Sequence, residues 1–131
     1  MTPSPIAAAV ITHAGRVLLV RRASPEAALL WSFPGGKLEP GESASAAAVR
    51  EASEEAGVTV EPLQLLGERV HPVTGRPMVY VACRLLSGMA HAASPREVAE
   101  VRWVWPGEIP ELNSGGVYRP VRAWLDEQLA P

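Results

Sequence analysis

Three glutamates in one short stretch, Glu51, Glu54 and Glu55 of Arg50-Glu51-Ala52-Ser53-Glu54-Glu55, are the residues best placed to do chemistry. On a helix advancing about 100° per residue, Glu51 and Glu55 stand about 40° apart, with Glu54 about 60° to the other side of Glu51. Carboxylates crowded on one stripe repel, by roughly 0.2–0.5 kcal/mol per exposed pair. A hard divalent cation reverses that, because Mg2+ and Mn2+ prefer carboxylate oxygens and water. Taken alone, the stripe reads more readily as a solvated acidic face than as a metal site.

The segment that carries them is the clearest helix of the chain. Ser43–Ala56 is rich in alanine, with Ser43 as N-cap and Gly57 as C-cap. Beside the acidic stripe, Ser45, Ala48, Val49, Ala52 and Ala56 form a small-residue face able to sit close against a sheet. Arg50 precedes Glu54 by four residues and can pair with it.

Around this helix, Ile6–Thr12 and Arg16–Arg21 read as a hairpin turning at His13-Ala14-Gly15. Ala23–Leu30 reads as a loop, and Trp31-Ser32-Phe33 as a short extended piece before Pro34. The stretch Pro34–Gly41 carries too much glycine and proline for helix or regular strand. Val58–Val60, Leu63–His71, Met78–Leu86 and Val101–Trp105 read as extended, with a turn across Pro72–Pro77. Pro106–Leu112 follows as a loop or single turn. Val117–Leu129 then reads as an amphipathic closing helix with Pro120 in its first turn. Strands interrupted by one internal helix and closed by another predict a mixed α/β sandwich.

The 131 residues suit one domain spanning 1–131, and 47 % apolar residues suffice for an ordinary core. A net charge of -2 argues against a general nucleic-acid or anionic-membrane binder, so no nucleic acid or membrane is expected as partner. Cys83, the single cysteine, rules out an intramolecular disulfide and reads as a buried strand thiol. There is no basic leader with an apolar core, and no run near the roughly 20 apolar residues of a membrane helix. A cytoplasmic location is the corresponding expectation.

Context decides between the acidic face and the metal site. Gly36–Val58, GKLEPGESASAAAVREASEEAGV, resembles the Nudix box, with Gly36, Glu42, Arg50, Glu51, Glu54, Glu55, Gly57 and Val58 in register and Ala52 small where a larger aliphatic is common. Seven fixed residues at frequencies of about 7 % coincide by chance on the order of once in a hundred million placements. The lead-in Trp31-Ser32-Phe33-Pro34-Gly35-Gly36 is similar to that of MutT-type members.

The resemblance implies a Nudix α/β/α sandwich, with the box helix and a C-terminal helix on a mixed central sheet. It implies metal-dependent hydrolysis of a diphosphate linkage in a nucleotide, with Mg2+ as cofactor and Mn2+ as the other candidate. Glu51, Glu54 and Glu55 would bind the metal together with the carbonyl of Gly35. Arg50 would orient the glutamates with Glu42, and Gly36 and Gly57 would give structural support. A further ligand or base is expected downstream, at Glu97 in preference to Glu100. The preferred substrate is an NTP, including oxidised or deoxy forms, cleaved to NMP and pyrophosphate. ADP-ribose or another nucleoside diphosphate-X is the alternative. A non-catalytic nucleotide-binding Nudix domain is the rival from another class, although such domains usually have eroded box glutamates. A homodimer is a further expectation of the resemblance.

For the substrate itself, Arg69 and Arg76 are the better candidates for phosphate contacts among Arg21, Arg22, Arg69 and Arg76. Asn113 is a candidate base reader and Trp31 a candidate stacking residue, each set against a plainer role as turn or core residue. His71 reads as a strand-end polar residue before it reads as a base.

Overall fold

The computed structural model describes residues 4–23, 31–72, 74–109 and 117–128. Strands β1 (Ile6–His13) and β2 (Arg16–Arg22) form the expected hairpin, pairing Thr12 with Val17 and His13 with Arg16. Its two turn residues, Ala14 and Gly15, both have positive φ, 51° and 80°. That left-handed pair matches the twist of the flanking strands.

Strands β3 (Trp31–Ser32) and β4 (Gly35–Lys37) flank Phe33 and Pro34. The glycine and proline content of Pro34–Gly41 argued against a strand there, yet β4 pairs antiparallel with the start of β1, Gly35 opposite Ala8. The free edge of β1 overrides local propensity, and glycine permits the contact. A Cβ on Gly35 would sit 2.4 Å from the Ala7 carbonyl oxygen.

Helix α1 spans Ala44–Ala56, with Ser43 Oγ accepting from the Ala46 N–H. Strand β5 (Thr59–Val70) is one element where the sequence suggested two, because Pro62 and Gly67 are absorbed at shifts of register against β6 (Pro77–Ser87). Strand β7 begins at Val98, three residues before the expected start, and runs to Val104. A 3-10 turn at Pro106–Glu108 and helix α2 (Arg119–Gln128) complete the described elements.

The strands form one mixed sheet in the order β3-β2-β1-β6-β5, with β4 on β1 and β7 on β2. β1 and β6 run parallel. Alternation along the strands then divides the core in two. Ala9, Ile11, Leu18, Val81 and Cys83 pack with Ala48, Ala52 and Ala56 of α1. Ala8, Val10, Val17, Leu19 and Tyr80 pack with Val121 and Leu125 of α2. A helix on each face makes the α/β/α sandwich. The small-residue face of α1 does what its pattern suggested, and burial pushes the Cys83 thiol up to about 12.

Candidate active site

Packing of Ala48, Ala52 and Ala56 onto the sheet turns the next face of α1 toward β4, and with it Glu51 and Glu55. Both carboxylates are buried, at 7 % and 2 % exposure. The β4 register leaves the backbone groups of Gly35 and Lys37 on the edge that β1 does not use. The Gly35 N–H donates to Glu55 Oε1 at 3.0 Å. A Cβ on Gly36 would fall 2.5 Å from the Glu51 carboxylate. Two glycines thus let two acidic side chains lie directly against the backbone.

Arginines neutralise the group. Arg50 donates to both oxygens of Glu42, at 2.8 and 2.9 Å, to Glu51 at 2.6 Å, to Glu54 at 3.3 Å and to the Lys37 carbonyl at 3.0 Å. The Arg50 guanidinium, helped by the Glu39 N–H, holds the Glu42 carboxyl down at about 2. Burial pushes Glu51 up, against the pull of Arg50, and Glu55 and Glu54 add to the rise. Arg22 donates to Glu55 Oε2 at 2.5 Å and to the Gly35 carbonyl at 3.4 Å.

Part of this group forms one wall of a cavity of about 830 Å3. Gly35, Gly36, Glu51, Glu55, Arg22 and Glu97 line that end. Glu97 arrives on the loop before β7, held by its carbonyl accepting from the Ala23 N–H at 2.9 Å. Glu54 is exposed, turned to Arg50, and absent from the lining. Glu100, the alternative to Glu97, pairs with Arg21 at 3.1 Å and also stays outside.

At the other end stand Arg69, Arg76, His71 and a wall of Phe33, Met78, Tyr80 and Tyr118. Two polar atoms in the lining, Ser32 Oγ and Arg76 Nε, are buried without a partner among the described residues. Burial and the nearby Arg69 hold His71 below the usual imidazole range. Trp31 does not face the cavity. It is 8 % exposed within the α2-side core, and the aromatic residue of the lead-in that reaches the cavity is Phe33. Trp31 and Phe33 are two residues apart with Ser32 between them, so strand alternation puts both on the α2 side of the sheet, and only the fold shows that Phe33 is the one that lines the cavity. Asn113 lies outside the described residues. Neither Tyr80 nor Tyr118 was expected in the site from sequence, where an aromatic residue in an apolar strand or at a helix start reads as core.

Among the described residues no three His, Cys, Asp or Glu groups converge in metal-binding geometry, and Glu51, Glu54 and Glu55 are each turned onto an arginine. The donor set nevertheless suits a hard cation. Glu51, Glu55, Glu97 and Gly35, lining one cavity, all offer oxygen atoms of the kind such a cation prefers. The Arg22 guanidinium, bonded at once to Glu55 and to the Gly35 carbonyl, stands where a positive charge is accommodated.

A sandwich with a glycine-lined carboxylate site at the edge of β4 defines a class, and comparison gives it a name. The NUDIX domain family model matches residues 2–125, and the chain belongs to that family. A MutT-like protein of Streptomyces ambofaciens is 32 % identical over 106 residues, covering 81 % of this chain and 66 % of its own length. The CTP pyrophosphohydrolase of Escherichia coli is 40 % identical over 72 residues, covering 54 % of this chain and 53 % of its own length. The chain therefore spans under two thirds of these relatives. Among solved structures, a Nudix hydrolase from Nitrosomonas europaea superposes with a TM-score of 0.80 at 25 % identity, over 98 % of this chain and 73 % of the other.

Proposed function

We propose that this chain hydrolyses a diphosphate linkage in a nucleotide, with a nucleoside triphosphate, oxidised and deoxy forms included, cleaved to the monophosphate and pyrophosphate. One observation carries the reading: the buried carboxylates Glu51 and Glu55, the Gly35 carbonyl and Glu97 line one end of a cavity whose far end is aromatic and cationic. A nucleotide is likewise two-ended: its phosphate oxygens bind hard cations and its base presents a planar aromatic face.

Glu51, Glu54, Glu55, Glu97 and the Gly35 carbonyl would hold Mg2+ or Mn2+, with Glu54 rotating away from Arg50. When bound, such a cation neutralises phosphate oxygens and lowers the pKa of a water that attacks phosphorus. The chain's own groups do the rest. Arg50 holds Glu51, Glu54 and Glu42 in one network and keeps Glu42 ionised. The Gly35 N–H fixes one oxygen of Glu55. Arg22, released from Glu55, carries a bidentate donor fork to the phosphates. Glu54 and Glu97 face solvent and can take the proton of the attacking water. A cytosolic nucleotide pool supplies substrates of this class.

A panel of canonical and oxidised NTPs, ADP-ribose and dinucleoside polyphosphates, with Mg2+ or Mn2+ and product identification, tests the reading. Release of pyrophosphate and NMP that falls on the order of a hundredfold in Glu55→Gln is the expected result. Turnover of nothing by the wild type overturns it, and turnover of ADP-ribose alone replaces the substrate. Activity that survives Glu54→Gln with Glu55→Gln removes the metal site.

A further inference from the structure

Cross-strand register orders the cavity. Gly35 in β4, Ala8 in β1, Tyr80 in β6 and Gly67 in β5 are successive partners along one row of the sheet. With neighbouring strands about 4.8 Å apart, Tyr80 stands about 10 Å and Gly67 about 14 Å from the carboxylate end. Above Gly67 lies Tyr118, whose hydroxyl donates to the Glu68 carbonyl at 2.9 Å. Glycine makes room for it: a Cβ on Gly67 would meet the Tyr118 hydroxyl at 2.9 Å.

Arg69 is clamped between these tyrosines. Its guanidinium carbon lies 4.9 Å from the centre of the Tyr118 ring and 5.6 Å from that of Tyr80. Its Nε donates to the Tyr80 hydroxyl at 3.1 Å. Tyr80 is itself buried and meets Phe33 edge to face, ring centres 6.4 Å apart. A long flexible side chain is thereby fixed at its ring-facing side and along one edge. Arg22 and Arg50 are engaged by carboxylates, but among the described residues Arg69 has no carboxylate within ion-pair distance. The two terminal nitrogens of this cavity-lining side chain remain as a donor pair with no acceptor character.

We propose that Arg69 is a specificity-determining residue that reads the edge of the nucleobase, selecting a base with two adjacent acceptors. The inference rests on the proposed nucleotide substrate and names its class. Phosphates belong at the opposite end, with the carboxylates and Arg22. The walls beside Arg69 include Phe33, Met78 and two phenol rings, which suit a planar base, with Arg76 and His71 at the same end. A donor pair matches guanine O6 and N7 or cytosine O2 and N3. Adenine sets an amino donor beside its ring acceptor, and uracil sets an N–H between its carbonyls, so each leaves one Arg69 donor facing a donor.

Calorimetric titration of the full chain with GMP, CMP, AMP and UMP reads this without requiring turnover. Either GMP or CMP, or both, should bind about tenfold or more tightly than AMP and UMP. Arg69→Gln, and Arg69→Lys, which keeps the charge but not the fork, should bring the four affinities to within about threefold. The guanine and cytosine arms identify which base is read. Four equal affinities in the wild type overturn the proposal. So does an equal weakening of all four in Arg69→Gln, the signature of a phosphate contact, or a preference that survives Arg69→Lys. If Arg69→Gln does not fold, Arg69→Lys alone decides. Base-selective binding without hydrolysis of any triphosphate would sink the proposed reaction and leave the role of Arg69 standing. Hydrolysis with flat affinities would do the reverse.

Discussion

Arg22 lies between the two oxygen donors that Gly35 and the last box glutamate would offer a cation: its Nη1 is 2.5 Å from Glu55 Oε2 and its Nη2 is 3.4 Å from the Gly35 carbonyl. Glu55 is 2 % exposed, and its two oxygens accept hydrogen bonds from this partner and from the Gly35 N–H. Removing Arg22 without supplying another cation leaves a buried carboxylate short of a donor, a cost of about 1–3 kcal/mol. Arg22→Gln should therefore melt lower than wild type in chelator and recover on adding Mg2+, with a larger metal-induced rise in melting temperature than wild type. Thermal melts with and without Mg2+ measure this. Equal metal-induced rises in the two proteins would mean that Arg22 and the cation do not share a seat.

Glu51 carries the opposite sign of charge cost. Burial raises its folded-state pKa above the unfolded value of about 4.3. The stability it contributes is complete below the unfolded pKa and is lost as pH rises through the folded one. Metal-free Glu51→Gln should consequently be more stable than wild type at pH 8 and equal to it near pH 4. Urea denaturation in chelator at the two pH values measures the difference. A variant less stable at pH 8 would mean that the Arg50 ion pair, at 2.6 Å, outweighs burial.

Glu42 behaves in the ordinary carboxylate sense. Arg50 holds it at about 2, so its stabilisation is present above the unfolded pKa of about 4.3 and disappears as pH falls toward 2. Glu42→Gln should lose stability relative to wild type at neutral pH, and the two curves should meet near pH 2. Because the group is exposed to solvent screening, the gap should narrow in high salt. A gap unaffected by pH would assign Glu42 a packing role in place of an electrostatic one.

Much of this site was legible before the fold was known, and the reasons differ by residue. Helix α1, its Ser43 cap and its Gly57 terminus follow from local chemistry, which sequence states directly. The alanine face and acidic stripe follow from period alone. What sequence withheld were relationships made by the sheet. Gly35–Lys37 pairs as a strand only because β1 has an edge to offer, and Arg22 reaches Glu55 only because β2 ends beside β4. Tyr80 and Tyr118 are 38 positions apart and meet, ring centres 5.1 Å from each other, across two elements. Trp31, weighed as a stacking residue against a core residue, sits in the core, and Phe33, given no role from sequence, lines the cavity.

The two adjacent glycines Gly35 and Gly36 should differ in kind. A methyl group on Gly36 meets the end of the Glu51 side chain, which can swing aside, whereas on Gly35 it meets the fixed backbone of Ala7. Gly36→Ala should fold nearly as stably as wild type but bind Mn2+ several-fold more weakly, read by electron paramagnetic resonance titration. Gly35→Ala should lower the melting temperature outright. Equal melting temperatures for the two variants would show that β4 can shift away from β1.

Gly57 joins the helix terminus to the Glu97 loop. Its φ is 68°, and its N–H closes α1 onto the Ala52 and Ser53 carbonyls. The next carbonyls, Glu55 and Ala56, accept from the N–H groups of Ala93 and His91, four and six residues before Glu97. A Cβ at position 57 would stand 2.1 Å from the His91 ring. Gly57→Ala therefore meets two penalties, the left-handed backbone, about 1–2 kcal/mol, and the displacement of His91. Asparagine tolerates the backbone but not the ring, so Gly57→Asn should recover only the first part. Adding His91→Ala to Gly57→Ala should recover only the second. If the double variant is no more stable than Gly57→Ala alone, the 91–93 segment does not bear on the helix end, and no strain passes from Gly57 toward Glu97.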